Sequence, residues 1–157
     1  MNQSARTLLV GIGSPHGDDR AGWLVAEALA ECSARMHAAH AAAFQVCKAS
    51  TPLDLFDWLD DIRRLIVCDA ACGAGAPGTL HRWHWPDERI GQVRPAGSHD
   101  FGLAAALELA DRLGRLPAEV VVWGIERGPA LPGDRISPAV EKALPELIER
   151  VQAEIGA

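Results

Sequence analysis

Two adjacent acids, Asp18 and Asp19, follow a glycine-rich turn in "VGIGSPHGDDRAG"; a third, Asp69, closes the apolar run "RLIVCDA"; and a histidine, His99, stands in "GSHDFGL". Carboxylates and a neutral imidazole suit a divalent cation such as zinc or nickel, and three protein ligands leave coordination positions open for water or a partner's group. The same residues have a second reading, because Gly11-x-Gly13 with Gly17 approximates the fingerprint of a nucleotide loop, where a helix N-terminus receives phosphate. Against it, two carboxylates at the helix mouth would repel a pyrophosphate. The spacing G-x-G-x-x-x-G is also one residue longer than the fingerprint requires. A third reading makes Asp18 and Asp19 ordinary acids of a helical first turn, Asp69 a strand end and His99 a surface residue.

The elements that must position these residues follow from apolar periodicity and from turn and cap signals. A strand is expected at Thr7 to Ile12, then a helix from about Arg20 to Arg35 with Trp23, Val25, Ala26, Leu29 and Ala30 on its inner face. "RMHAAHAAA" fits either a helix tail or a loop, and a second strand is expected at about Ala43 to Cys47. "STPLDLFDWLDD" predicts a short helix capped by Ser50 or Thr51, with Pro52 first and Asp54 in the first turn, ending near Asp60. Arg64 to Cys68 reads as a central strand buried on both faces, "CGAGAPGT" as a loop and "TLHRWHW" as an edge strand. Ser98 is expected to cap a helix running to Leu113 and stopped by Gly114. "EVVVWGIE" is a further strand, and Ser137-Pro138 opens a terminal helix through about Ala153.

Strands alternating with helices predict an α/β fold: a three-layer sandwich whose mostly parallel, twisted central sheet of about five strands is covered by helices on both faces. With 157 residues, 48% of them hydrophobic, one domain spanning residues 1–157 is expected. In such sheets the working residues gather beyond the carboxyl ends of the strands. Asp19, Asp69 and His99 are all expected on that edge, with His99 kept neutral by a helix N-terminus.

A net charge of −6, with no basic cluster longer than Arg63-Arg64, argues against nucleic acid or an acidic membrane as partner. No apolar run is long enough to span a bilayer. The apolar part of "MNQSARTLLVGIG" leads straight into the glycine turn rather than to a cleavage site, so a cytoplasmic location is expected. Cys32, Cys47, Cys68 and Cys72 are expected as free thiols, Cys47 and Cys68 inside buried strands. Asp18 is expected to cap its helix and shape the loop. His16 is expected at the surface, Cys68 turned away from Asp69, Cys72 a bystander, and Trp83, His84 and Trp85 in packing.

The chain resembles the hydrogenase maturation proteases over nearly its full length, through "LLVGIGSPHGDDRAG", "LIVCDAACGAGAPGT", "SHDFGLAAALELADRLGRLPAEVVVWGIE" and "SPAVEKALPELI". The resemblance implies an endopeptidase, aspartic-type or metal-assisted, that removes a C-terminal peptide from the precursor of a nickel-iron hydrogenase large subunit after nickel insertion. It implies metal-binding positions at Asp19, Asp69 and His99, with Asp19 and Asp69 as the catalytic carboxylates. The nickel would be supplied by the substrate, while other divalent ions such as zinc or cadmium could occupy the site in the isolated protein. The alternative is a non-catalytic metal-binding or chaperone-like module that holds the large subunit during assembly. The sequence departs from the family at "CKASTP", Cys47 to Pro52, where members often carry a D-G-G-T-like segment, so the substrate-binding surface is expected to differ there.

Overall fold

The computed structural model describes residues 6–36, 44–94 and 101–156. Among these residues, five strands form one sheet: β1 (Thr7–Ile12), β2 (Phe44–Ala49), β3 (Arg64–Ala71), β4 (Leu80–His84) and β5 (Glu119–Glu126). Their order is β2-β1-β3-β5-β4, with β4 alone antiparallel, on the edge beside β5. The α/β sandwich expected from the alternation of elements is therefore present.

The strand period of two sorts the core into two layers. Leu8, Val10, Ile12, Leu65, Val67, Val120 and Val122 face one side, where α2 (Leu103–Arg112) and short 3-10 turns at Pro52–Asp57 and Glu88–Gln92 cover them. Leu9, Ile66, Cys68, Val121, Trp123 and Ile125 face the other, against α1 (Ala21–Ala34) and α3 (Pro138–Ile155). Burial on both sides is why β3 and β5 read as almost unbroken apolar runs. The chain leaves β1 toward β2 but then returns to place β3 on β1's other side. That reversal makes the crevice between the carboxyl ends of β1 and β3 the natural ligand position of this topology.

Several expectations change. Thr51 does begin a turn, and the Asp54 carboxylate accepts from the Ser50 and Thr51 amides at 3.0 and 3.1 Å, but the element is a 3-10 helix ending at Asp57. The helix expected from Ser98 begins instead at Leu103, with Gly102 in an extended backbone as its N-cap. Ala30 is exposed, because the inward stripe of α1 runs through Ala21, Val25, Ala26 and Leu29. Cys47 is only half-buried, since β2 is an edge strand. Most of "RMHAAHAAA", from residue 37 to 43, lies outside the described residues.

The far end of α3 is locked to three strands by one carboxylate. Glu154 accepts from Arg64 Nη2 of β3 at 3.0 Å, from Arg82 Nε and Nη2 of β4 at 3.2 and 2.5 Å, and from Trp123 Nε1 of β5 at 2.5 Å. Burial works against its charge, but the hydrogen bonds from Arg82 and Trp123 and the charges of Arg82 and Arg64 outweigh it, holding the carboxyl below the usual glutamate value. Glu154→Ala should lower stability by about 3 kcal/mol in urea unfolding, toward the low end for breaking a buried ion pair because Arg82 can turn to water. A depressed carboxyl contributes fully above its unfolded value and loses that contribution as pH falls. Wild type and Glu154→Gln should therefore differ at neutral pH and converge in acid.

Candidate functional site

The site begins with the way α1 meets the sheet. A Cβ on Gly11 would stand 2.0 Å from the Gly22 carbonyl oxygen, and one on Gly22 would stand 2.1 Å from that of Ile12 and 2.6 Å from that of Cys68. Glycine at both places lets the start of α1 lie directly on β1 and β3. Between them the chain turns through Gly17, at φ +53°, into a 3-10 turn, Gly17–Arg20, that carries both acids. The Asp19 amide donates to the His16 carbonyl at 3.1 Å and the Asp19 carbonyl accepts from Ser14 at 3.2 Å, which fixes the turn over the strand ends.

Asp19 and Asp69 converge on one cation, the guanidinium of Arg94. Arg94 Nε donates to Asp69 Oδ2 at 2.7 Å, and Arg94 Nη2 donates to Asp69 Oδ1 at 2.9 Å and to Asp19 Oδ1 at 2.5 Å. Asp69 Oδ1 also accepts from the Ala70 amide at 2.7 Å. The Asp69 side chain has no exposure, whereas Asp19 is 23% exposed. Desolvation raises the Asp69 carboxyl to about 6, despite the opposing hydrogen bonds and charge of Arg94 and with a smaller push from Asp19. Partial burial works against the Arg94 charge, but Asp69 and Asp19 hold the guanidinium protonated above its ordinary value.

Arg94 was not among the residues the sequence singled out. A lone arginine before a proline has no periodicity to mark it. The available signal was charge balance: two acids expected at one sheet edge, one of them ending a buried strand, require a cation nearby. Its backbone is placed by a bridge between Ala71 and Val93 and by the Leu103 amide, which donates to the Arg94 carbonyl at 3.3 Å.

Asp18 points elsewhere. Its carboxylate accepts from the Gly128 amide at 2.8 Å and from the Ser137 amide and hydroxyl at 2.7 Å each. It therefore ties the turn to the β5–α3 loop and to the N-cap of α3, rather than capping its own helix. A cleft of about 430 Å³ opens beside the pair, lined by Asp19, His16, Cys72, Arg127 and Arg135 among others. His16 is exposed, with Nδ1 3.0 Å from Asp134 Oδ2, and Cys72 is exposed in the cleft wall. Cys68 lies in the opposite core layer, where burial first, then Glu154 and Asp69, pushes its thiol up and keeps it unreactive. Trp83 is buried and stacked on His81, Trp85 packs on the same core layer, and His84 is exposed beside Arg82.

His99, like Ser98, lies outside the described residues, and no group of three metal-ligating side chains occurs among the described ones. The donor chemistry nevertheless fits a divalent ion. One oxygen of each acid reaches the same nitrogen, so a single ion can bind both. "CKASTP" lies beside this edge, where the Ala49 carbonyl accepts from the Gly13 amide at 3.0 Å and from Trp23 Nε1 at 2.8 Å.

A family model described as hydrogenase maturation protease matches residues 29–154. The chain belongs to that family. Three solved structures have the same fold. The hydrogenase maturating endopeptidase HybD from E. coli is 23% identical, with 96% of this chain and 91% of that one covered and a TM-score of 0.73. The hydrogenase 2 maturation peptidase from Thaumarchaeota archaeon SCGC_AB-539-E09 is 26% identical, covering 96% and 98%, with a TM-score of 0.66. The [NiFe] hydrogenase maturation protease HybD from Thermococcus kodakarensis is 19% identical, covering 96% and 99%, with a TM-score of 0.68. No curated protein sequence matches the chain significantly. Members of the maturation protease family are endopeptidases, so the carboxylate pair lies in a fold that hydrolyses peptide bonds.

Two measurements separate the neighbouring acids and the buried one. Asp18→Asn should cost on the order of 2 kcal/mol, because it weakens charge-assisted bonds to buried donors. The loss should be visible as faster hydrogen exchange at the Gly128 and Ser137 amides; unchanged exchange would remove Asp18 from this structural role. Asp69 has the opposite pH sign from Glu154. Its raised carboxyl favours the fold below the unfolded aspartate value and loses that contribution as pH rises through about 6. Asp69→Asn should therefore gain on wild type by on the order of 2 kcal/mol between pH 4 and pH 7. Parallel urea midpoints across that window would contradict the assignment.

Proposed function

We propose that this maturation protease removes a C-terminal peptide from the precursor of a nickel-iron hydrogenase large subunit after nickel insertion, and that it reads the inserted metal through Asp19, Asp69 and His99. The observation that carries the reading is the convergence of Asp19 and Asp69 on one cationic group at the β1/β3 crevice. The similarity to proteins described as hydrogenase maturation endopeptidases supplies the substrate class.

An incomplete ligand set is what a metal-reading site needs. Ligands contributed by the protease can share an ion already held by the substrate, and a precursor without nickel forfeits that binding energy. The two carboxylates then divide the work by exposure. Asp69, buried and hydrogen-bonded to Ala70 and Arg94, is fixed as a ligand. Asp19 lines the open cleft and is the carboxylate that can reach a water beside the scissile carbonyl. An ion carried in by the substrate would supply Lewis-acid chemistry at that carbonyl or water, with Asp19 and Asp69 holding it.

The test is incubation of a nickel-loaded precursor with the protein, followed by mass spectrometry for the released C-terminal peptide. Asp19→Asn, Asp69→Asn and His99→Ala should each reduce processing at least 100-fold, the scale of losing a positioned catalytic group, while circular dichroism stays native. Tight binding of the precursor without release of peptide would favour the non-catalytic, chaperone-like reading. Full processing by one variant would remove that residue from the site.

A further inference from the structure

Asp69 cannot remain ionised and buried without a partner, and the partner in this chain is a side chain rather than an ion. Arg94 Nη2 binds one oxygen from each acid, the two side chains that would hold an ion. The Arg94 backbone is anchored at Val93 and Leu103, but its side chain is 22% exposed and so has a direct route to water. We propose that Arg94 is a specificity-determining residue for the metal-reading step: an internal monovalent cation that a divalent ion must displace from Asp19 and Asp69 before it binds.

This role rests on the functional reading above and adds selectivity to it. A free ion in water gains the two acids, and against that gain it loses hydration and breaks three charge-assisted hydrogen bonds. An ion already held by a protein partner adds the contacts of that whole partner to the same exchange. The acid pair thus binds free ions more weakly than an ion delivered by substrate. A site whose competent state is minor binds with an affinity lowered by that fraction. Arg94 sets the fraction here.

The direct test is calorimetric titration of the isolated full-length protein with nickel chloride at pH 8, well above the Asp69 value. Arg94→Gln, which keeps length and hydrogen-bonding capacity but not charge, should bind nickel about 10-fold tighter or more than wild type. Adding Asp19→Asn to that variant should abolish the gain. Equal affinities would overturn the proposal. If Arg94→Gln does not fold, 15N-labelled wild type titrated with zinc chloride decides the matter: the Arg94 Nε–H signal should shift and exchange faster with water as zinc saturates the protein. A signal unchanged at saturation would show that the guanidinium stays in place, and the proposal would fail. Failure to cleave a nickel-loaded precursor, with the nickel-binding gain intact, would overturn the endopeptidase reading and support the role of Arg94.

Discussion

A carboxylate with no exposure, inside a central strand that runs two residues past it rather than stopping there as the sequence suggested, governs the arrangement around it. Asp69 follows the apolar run Leu65–Cys68 of β3, and among the described residues its partners are the Ala70 amide and the Arg94 guanidinium. Arg94 is brought by a bridge to β3 and by the start of α2; Asp19 is brought by α1, which two glycines allow to lie on the strand ends. The crevice, the turn and the Val93–Arg94 segment are thus held in register by a charge that tolerates no slack.

Asp18 and Asp19 show how one turn presents adjacent acids to opposite surroundings. The first acid faces inward and is saturated by three donors from the β5–α3 loop and Ser137, so it orients the turn. The second is then presented to the cleft with its Oδ1 on Arg94. The rigid member lets the exposed member be placed accurately while remaining accessible, a division that side chains on separate flexible loops could not maintain.

What could be read in the sequence followed from strong local periodicity. β1 and β5 lie where their apolar runs place them, α3 starts at Ser137-Pro138, and β4 is an edge strand as its alternation suggests. Asp19 and Asp69 could be assigned to one edge because parallel topology fixes which strand ends meet. Long-range partners were not legible in this way. Asp18 looks like a cap of its own helix, yet its acceptors are matched 110 and 119 residues away. Arg94 has no local pattern at all, and Ser98 resembles a cap although the α2 backbone becomes helical only at Leu103. Ala30 failed for a different reason: a small residue fits an inner or an outer helical face, so its identity does not report the side on which the sheet lies.

Two of the buried carboxylates among the described residues, Glu154 and Asp69, stand in opposite electrostatic states. Glu154, among two arginines and an indole N–H, is oversupplied with donors and stays ionised below the usual glutamate range. Asp69, on the other core face, has one arginine shared with a second acid and is pushed up to about 6. A carboxylate kept only to hold elements together gains from every extra donor. One kept to bind a metal ion must retain affinity for another cation, and a full shell of fixed donors would remove it. The desolvation that raises the Asp69 carboxyl therefore leaves an electrostatic demand that Arg94, shared with Asp19, meets only in part.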